Sequence, residues 1–218
     1  IPYKIDGKYV DGGVEGEIYT VTEVQLQAPS ENEFGAHSYA FPIVETVIYP
    51  NTVNRIYGKV RESQSGTTLK TVILSNSLKT IGECAFDGCI ELTDLIIPKS
   101  VTSIGNGAFF NCSSLTSITI PEGVTSIGKN AFAMCTSLTS ITIPEGVTSI
   151  GDNVFERCAS LTDITIPESV TSIGYDAFFA CRNLTTVNYR GTEEQWNAIT
   201  IGDNNEYLTN AKINYNYK

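Results

Sequence analysis

Cysteines are the residues of this chain best suited to chemistry, and five of the six recur at one interval. They lie 23 positions apart, at Cys89, Cys112, Cys135, Cys158 and Cys181. Cysteines at regular spacing can build a disulfide framework or a metal site. A disulfide needs two converging Cβ atoms, whereas equivalent positions of a repeat point the same way in successive units. CxxC pairs are absent, so we expect no zinc, six reduced cysteines, and burial of the five in register.

The remaining candidates for chemistry are few. His37 is the only histidine, and its polar neighbourhood indicates a surface loop. Glu193 and Glu194 could form a carboxylate pair, but we interpret them as the acidic first turn of a helix. The sequence contains no Gly-rich phosphate loop, G-x-S-x-G elbow or H-E-x-x-H motif. We therefore predict no catalytic residue, no metal site and no cofactor.

Three further residue types keep the same 23-residue interval, so the cysteines belong to a longer repeat. They are the prolines at 98, 121, 144 and 167, the Ile-Gly pairs starting at 81, 104, 127, 150 and 173, and the phenylalanines at 86, 109, 132, 155 and 178. A fixed period of this length predicts a solenoid, in which each unit buries its apolar side against its neighbours.

One unit, residues 115–137, predicts the local structure of all. Apolar and polar residues alternate up to Pro121, which indicates a short strand with one buried face. A second short strand follows and ends at Gly128, where we expect the positive φ of a tight corner. Asn130 is then predicted to cap a one-turn helix that ends at Cys135.

This unit, L-x-x-[IL]-x-I-P-x-x-V-x-x-I-G-x-x-[AV]-F-x-x-C-x-x, resembles the leucine-rich repeat of BspA-like bacterial proteins, also called the Treponema pallidum type. Complete units begin at Leu92, Leu115, Leu138 and Leu161, and the resemblance covers residues 44–189. It implies a leucine-rich repeat solenoid, a β-rich right-handed α/β superhelix with two short parallel strands and a one-turn helix per repeat, and with a cap at each end.

We predict one continuous domain in three parts. Residues 1–43 form an N-terminal β-rich cap, 44–187 the solenoid with a degenerate first rung at 44–68, and 188–218 a C-terminal cap. Strands are expected in the first part at Tyr3–Ile5, Lys8–Val10 and Ile18–Leu26, with a loop at Ala28–His37. In the last part, a helix starting at Thr192 should place Trp196 on the last rung, and Lys212–Tyr217 should form an edge strand.

The charge balance excludes two classes of partner. The chain has 24 acidic and 14 basic residues, for a net charge of -10. Such a chain repels phosphate backbones and anionic membrane surfaces, and no apolar stretch approaches the roughly 18 residues of a membrane span. The chain starts at Ile1, so we expect that a leader has been removed or left out of this chain; this start suits an exported protein and a trimmed chain equally well.

Two surfaces of the repeat are candidates for binding a partner. On the strand face they are Asp94, Ser117, Thr119, Ser140, Thr142, Asp163 and Thr165; on the helix face they are Phe110, Met134, Tyr175 and Phe179. Both sets also have a structural explanation: small hydroxyl side chains suit stacked parallel strands, and the large apolar groups could fill gaps between helices. The strand face is the first candidate, because a regular sheet is the usual solenoid platform.

The resemblance implies a secreted or cell-surface bacterial protein that binds other proteins, in adhesion or in contact with host or neighbouring cells. The expected partner is a protein of unknown identity, and the chain is expected to be a monomer. Two alternatives stay open: a structural spacer domain of a larger surface protein, and an enzyme acting on glycans.

Overall fold

The computed structural model describes residues 3–5, 8–10, 46–49, 54–56 and 69–218. Tyr3–Ile5 and Lys8–Val10 form an antiparallel pair in which Tyr3 lies opposite Val10. These two strands were predicted from their alternation and from the Asp6-Gly7 turn between them. The predicted strand Ile18–Leu26 and the loop with His37 lie outside the described residues.

The rest of the described chain is a parallel β-solenoid, in which each rung carries two short strands. The first strands are Thr46–Ile48, Thr71–Ile73, Asp94–Ile96, Ser117–Thr119, Ser140–Thr142, Asp163–Ile166, Thr186–Tyr189 and Lys212–Asn214. Where they pair, they pair in parallel with equivalent residues side by side, such as Ile118 beside Leu95. The central residue is buried and its neighbours point outward, as the alternation predicts.

The second strands are shorter and form a second set of parallel pairs. They are Arg55–Ile56, Thr80–Ile81, Ser103–Ile104, Ser126–Ile127, Ser149–Ile150, Ser172–Ile173 and Thr200–Ile201. In each of the repeat units, the isoleucine points into the core and the hydroxyl residue before it points outward. The two-strand rung was predicted correctly.

The third side of each rung is a pair of turns, and the predicted one-turn helix is wrong. In the unit at 115–137, backbone hydrogen bonds of 3.3 and 3.2 Å close turns at 128–131 and 132–135. Asn130, predicted as a helix cap, has a φ of 56°, and Met134 has a φ of 62°. Both values lie in the left-handed region, which interrupts a right-handed helix.

The helix does not form because the N–H groups of this segment donate hydrogen bonds to the next rung. A helix would need them for carbonyls four residues back along the chain. Instead, alternate residues donate to the following rung: Asn130 N–H to the Asp152 carbonyl, Phe132 N–H to Val154, and Met134 N–H to Glu156, at 2.7–3.1 Å. Periodicity alone could not separate these alternatives, because Ala131 and Cys135 suit both.

The glycine of the Ile-Gly pair serves close packing, not a special backbone angle. Gly128 was predicted to need a positive φ, but among the described glycines only Gly88 and Gly107 have one. At the equivalent Gly105, a Cβ would lie 2.6 Å from the backbone nitrogen of Glu83 in the preceding rung. The same close approach occurs at Gly128 and Gly174, so a side chain at these three positions would push the rungs apart, whereas Gly151 has room for a Cβ.

The core consists of repeated columns of apolar side chains. The phenylalanines stack with ring centroids 5.3–5.7 Å apart from Phe86 to Phe178. The five cysteines in register are fully buried, and all six are thiols, as predicted. From the second one onward, each of the five donates its S–H to a phenylalanine carbonyl of the preceding rung, as Cys135 does to Phe109 at 3.2 Å.

The C-terminal residues continue the solenoid with two short helices. Helix Glu193–Asn197 begins at Thr192, whose hydroxyl accepts a hydrogen bond from Gln195 N while the Gln195 side chain accepts one from Thr192 N. Trp196 is buried edge-on against Tyr189 at 5.2 Å, as its predicted place on the last rung requires. A second helix, Glu206–Thr209, precedes strand Lys212–Asn214, which is shorter than predicted.

Candidate protein-binding surface

The outward side chains of the first strands form two rows, which together we call the strand face. One row runs through Asp94, Ser117 and Ser140 and the other through Thr119 and Thr142, and all five side chains are exposed. Pairing in register places the side chains of Asp94 and Ser117 at the rung spacing of about 4.8 Å. The five residues are therefore exposed in successive central rungs, and their role in binding stays a prediction.

Two of the predicted strand-face residues are not available in the same way. Thr165 is only 7% exposed, where an outward side chain was predicted, and Asp163 is half-buried. Their strand, Asp163–Ile166, is hydrogen-bonded to a strand on each side, and the side chain of Thr165 stands in register between Thr142 and Asn188. Strand Ser117–Thr119 also contacts a first strand on each side, yet Thr119 keeps its exposure between Ile96 and Thr142.

The strand face also contains an apolar pair that was not among the predicted site residues. Ile73 is 50% exposed and Ile96 is 84% exposed, and both occupy the position that is Thr119 and Thr142 in the following rungs. Comparison of the units shows this difference, since isoleucine replaces a hydroxyl residue there. The sequence does not show whether these isoleucines are exposed, and only exposed isoleucines can contact a partner.

Ile96, but not Ile73, lines a shallow groove of about 810 Å³. Its walls are the strands Asp94–Ile96 and Ser117–Thr119 and the turns that follow Pro98 and Pro121. The proline ends each strand, because it has no N–H to donate to a neighbouring rung. The groove therefore offers both strand-face side chains and turn side chains to one ligand.

An acidic side chain follows the proline of three successive rungs, and the first of the three lines the groove. Glu122, Glu145 and Glu168 occupy the same position in three successive rungs and are exposed. The Arg190 guanidinium donates to the Glu145 carboxylate at 2.8 Å. The side chain of Gln195 donates to Glu168 at 3.4 Å. Among residues 69–218, Glu122 forms no ion pair, but Lys99 occupies the equivalent position of the preceding rung and lines the same groove.

The second predicted surface, the helix face, is the turn side of the rungs, and its four residues do not form one patch. Tyr175 and Phe179 are exposed, whereas Phe110 and Met134 are half-buried. Phe110 and Phe179 occupy equivalent positions in rungs that are separated by two others, which carry Ala133 and Glu156 there. The distance between the two rings is therefore set by three rung spacings, on the order of 14 Å.

Tyr175 belongs to a polar chain on the turn side. Its hydroxyl accepts a hydrogen bond from the Asn204 amide at 2.7 Å, and its backbone N–H donates to the Asp152 carboxylate at 3.1 Å. The Lys129 ammonium, 2.7 Å from the same carboxylate, and the Tyr175 N–H hold the pKa of Asp152 below its usual range. These contacts account for Tyr175 as part of rung-to-rung bonding.

The cysteine column offers no reactive thiol. The hydrogen bond with Cys135 and burial raise the pKa of Cys112, burial raises that of Cys158, and burial raises that of Cys181 to about 12. A raised pKa keeps the thiol protonated at neutral pH, and a protonated thiol is a poor nucleophile and a poor metal ligand. In the described part of the chain, no three His, Cys, Asp or Glu side chains are grouped to hold a metal ion. Nor does any helix there have the length and apolar character to cross a membrane.

Comparison with known proteins gives this fold a family. The family model for the BspA type leucine rich repeat region matches residues 61–185 with six copies. No curated protein sequence matches the chain. Among solved structures, the T. pallidum leucine rich repeat protein is 29% identical, with a TM-score of 0.59 over 65% of this chain and 65% of that one.

A leucine rich cell surface protein from Faecalibacterium prausnitzii A2-165 is 27% identical, with a TM-score of 0.54 over 72% of this chain and 62% of that one. The chain thus covers less than two thirds of the length of either protein. The repeat signature, the two-strand rungs and the family match agree. The chain belongs to the family of BspA-type leucine-rich repeat proteins.

Proposed function

We propose that this chain is a non-catalytic module of a secreted or cell-surface bacterial protein, which binds another protein through the strand face. The observation that carries the proposal is the strand face itself, whose outward side chains stay exposed over three successive rungs and include an isoleucine at 84% exposure. An open, regular row of side chains suits an extended contact with a partner. The description of the F. prausnitzii relative as a cell surface protein supports the location.

Adhesion to host or neighbouring cells is the role we propose for that binding. It follows from the family and from the proposed location. A spacer domain would hold other parts of a larger protein apart and would have no partner of its own. An enzyme acting on glycans would show turnover that is lost when one acidic side chain, such as Glu122, is changed to glutamine.

The test is an array of purified extracellular proteins probed with the full chain and with two matched variants. Thr119→Arg with Thr142→Arg places two long cations on the strand face, where both threonines are exposed. Thr125→Arg with Thr148→Arg changes the same residue type at exposed positions beside the second strands. Thr165 is left unchanged, because arginine at a buried position would test folding.

We expect the first variant to bind the partner with a Kd at least tenfold higher, a loss of about 1.4 kcal/mol of binding free energy. The second variant should bind like the unchanged chain. Equal loss in both variants would point to charge or folding effects. Retention of the partner by the first variant would contradict binding through the strand face, and an array without any partner would favour the spacer.

A further inference from the structure

We propose that the strand face takes a cationic, apolar segment of its partner: an extended stretch with aliphatic side chains on Ile73 and Ile96 and lysine or arginine side chains at Asp94 and Glu122. This inference rests on the proposed function, because it gives the chemistry of the partner for the same face.

The apolar half of the argument is the pair Ile73 and Ile96. They stand at the same position of adjacent rungs, whose first strands contact each other. At 84% exposure, Ile96 contributes almost no apolar burial to the folded chain. Threonine at that position, as in Thr119, has a comparable preference for strands, so strand formation does not require isoleucine. An exposed aliphatic pair on a regular sheet is therefore suited to contact with apolar groups of another molecule.

The second half of the argument is the charge beside that pair. The groove is lined by two carboxylates, Asp94 and Glu122, and by one ammonium, Lys99. Asp94 accepts a hydrogen bond from the Thr93 hydroxyl at 3.3 Å. Among residues 69–218, none of the three groove charges forms an ion pair. With two carboxylates against one ammonium the groove keeps one net negative charge, and in a chain with net charge -10 this attracts a cationic partner and repels an anionic one.

The exposed Ile96 and the two carboxylates lie close together at the groove. Ile96 and Asp94 are outward neighbours on one strand, and Glu122 follows Pro121 at the end of the next strand. Ile96 therefore lines the groove together with both carboxylates, and Ile73 stands next to Ile96 in the preceding rung. This is the arrangement of a small interface, with an apolar centre that excludes water and charges at its rim.

The test uses three short synthetic peptides of equal length as probes, each carrying a fluorescent label. The first alternates leucine with lysine, the second leucine with glutamate, and the third serine with lysine. Binding to the full chain is followed by fluorescence anisotropy at low and high salt. We expect the leucine–lysine peptide to bind at least tenfold more tightly than either of the others, because only it has both apolar groups for the isoleucines and cations for the carboxylates.

Two variants with matched controls locate the binding. Ile96→Ser removes the exposed aliphatic group, and we expect it to weaken the leucine–lysine peptide about tenfold at both salt concentrations. Glu122→Gln should weaken it about threefold at low salt and reduce its salt dependence. The controls are Phe179→Ser and Glu83→Gln, exposed residues of the turn side, and they should change nothing. Thermal unfolding of each variant checks that it folds.

Three results would overturn the inference: equal binding of the leucine–glutamate peptide, equal binding of the serine–lysine peptide, or no effect of Ile96→Ser. Binding of the variants to the natural partner, once the protein array has identified it, shows whether this inference or the proposed function has failed. If Thr119→Arg with Thr142→Arg removes that partner while Ile96→Ser and Glu122→Gln do not, the strand face binds proteins and the inferred chemistry is wrong. If all three variants keep the partner, both proposals fail.

Discussion

The side-chain oxygen of Asn205 accepts a hydrogen bond from the backbone N–H of Phe178 at 2.9 Å, where every earlier rung uses a backbone carbonyl of the next rung. Phe155, for example, donates to the Ala177 carbonyl. The amide group of Asn205 also donates to the carbonyls of Gly174 and Gly202 at 2.9 and 2.8 Å. One buried side chain thus replaces part of the rung that would follow.

Asn205→Ala should therefore cost more stability than an ordinary asparagine change. The variant leaves the N–H of Phe178 without its acceptor at a site where Asn205 is 3% exposed. An unsatisfied buried group costs about 1–3 kcal/mol. Urea unfolding followed by circular dichroism measures the free energy of unfolding.

The control is Asn183→Ala, which removes an exposed amide that donates to the Ala159 carbonyl at 2.8 Å. We expect a change within about 0.5 kcal/mol there. Equal effects of the two variants would show that Asn205 does not terminate the rung bonding.

Asn205 also marks the limit of prediction from this sequence. The strands and the buried column of cysteines follow from a period that repeats five times, so each assignment was supported by several equivalent residues. Asn205 occurs once, and two of its partners, Phe178 and Gly174, lie 27 and 31 residues away along the chain. The end of a solenoid has no period, and nothing local distinguishes this asparagine from Asn204 beside it.

Two predictions were wrong for different physical reasons: the helix on the turn side and the exposure of Thr165. The spacing of Ala131, Phe132 and Cys135 suits a helical turn, but hydrogen bonds to the next rung decide against it, and those depend on the neighbouring rung. Thr165 was predicted as an exposed partner of Thr142 because its strand pattern is identical. It stands in register beside Asn188, which is also buried, and this neighbour lies in the next rung, outside the pattern of its own unit.

Adjacent phenylalanines provide a direct test of the aromatic column. Phe178 is fully buried and stacks on Phe155 at 5.3 Å, whereas Phe179 is 40% exposed. Phe178→Ala should lower the free energy of unfolding by about 3–5 kcal/mol through lost burial and the cavity that it leaves. Phe179→Ala, the matched control, should cost less than about 1 kcal/mol. Similar losses in both would contradict the assignment of Phe178 to the core and of Phe179 to the surface.

Thiol labelling tests the cysteine column. Cys84 is half-buried and the other five are fully buried. We expect iodoacetamide at neutral pH to modify at most one thiol of the folded chain, Cys84, and all six after denaturation in guanidinium. Intact-mass spectrometry counts the modified groups, and Cys84→Ser should remove the native label. Native labelling of two or more thiols, or an intact mass lower by the two hydrogens of a disulfide, would contradict the arrangement.

Alkaline pH should destabilise the folded chain through the same column. Burial raises the pKa of Cys181 to about 12, and the pKa values of Cys112 and Cys158 are also raised. In the unfolded chain these thiols lose their protons near pH 8.5. Between that pH and about 12, the unfolded state binds fewer protons than the folded state, so stability falls as pH rises, by up to about 1.4 kcal/mol per pH unit for each such thiol. Below pH 8 this contribution is fully present.

Urea unfolding at a series of pH values from neutral to strongly alkaline measures this slope. Cys181→Ala should be less stable than the unchanged chain at neutral pH, because it leaves a small cavity, but it should lose less stability as pH rises. The two stability curves should therefore converge towards high pH. Parallel curves would show that the Cys181 thiol does not carry the alkaline sensitivity, and that the tyrosines, whose ordinary pKa is also in this range, dominate it.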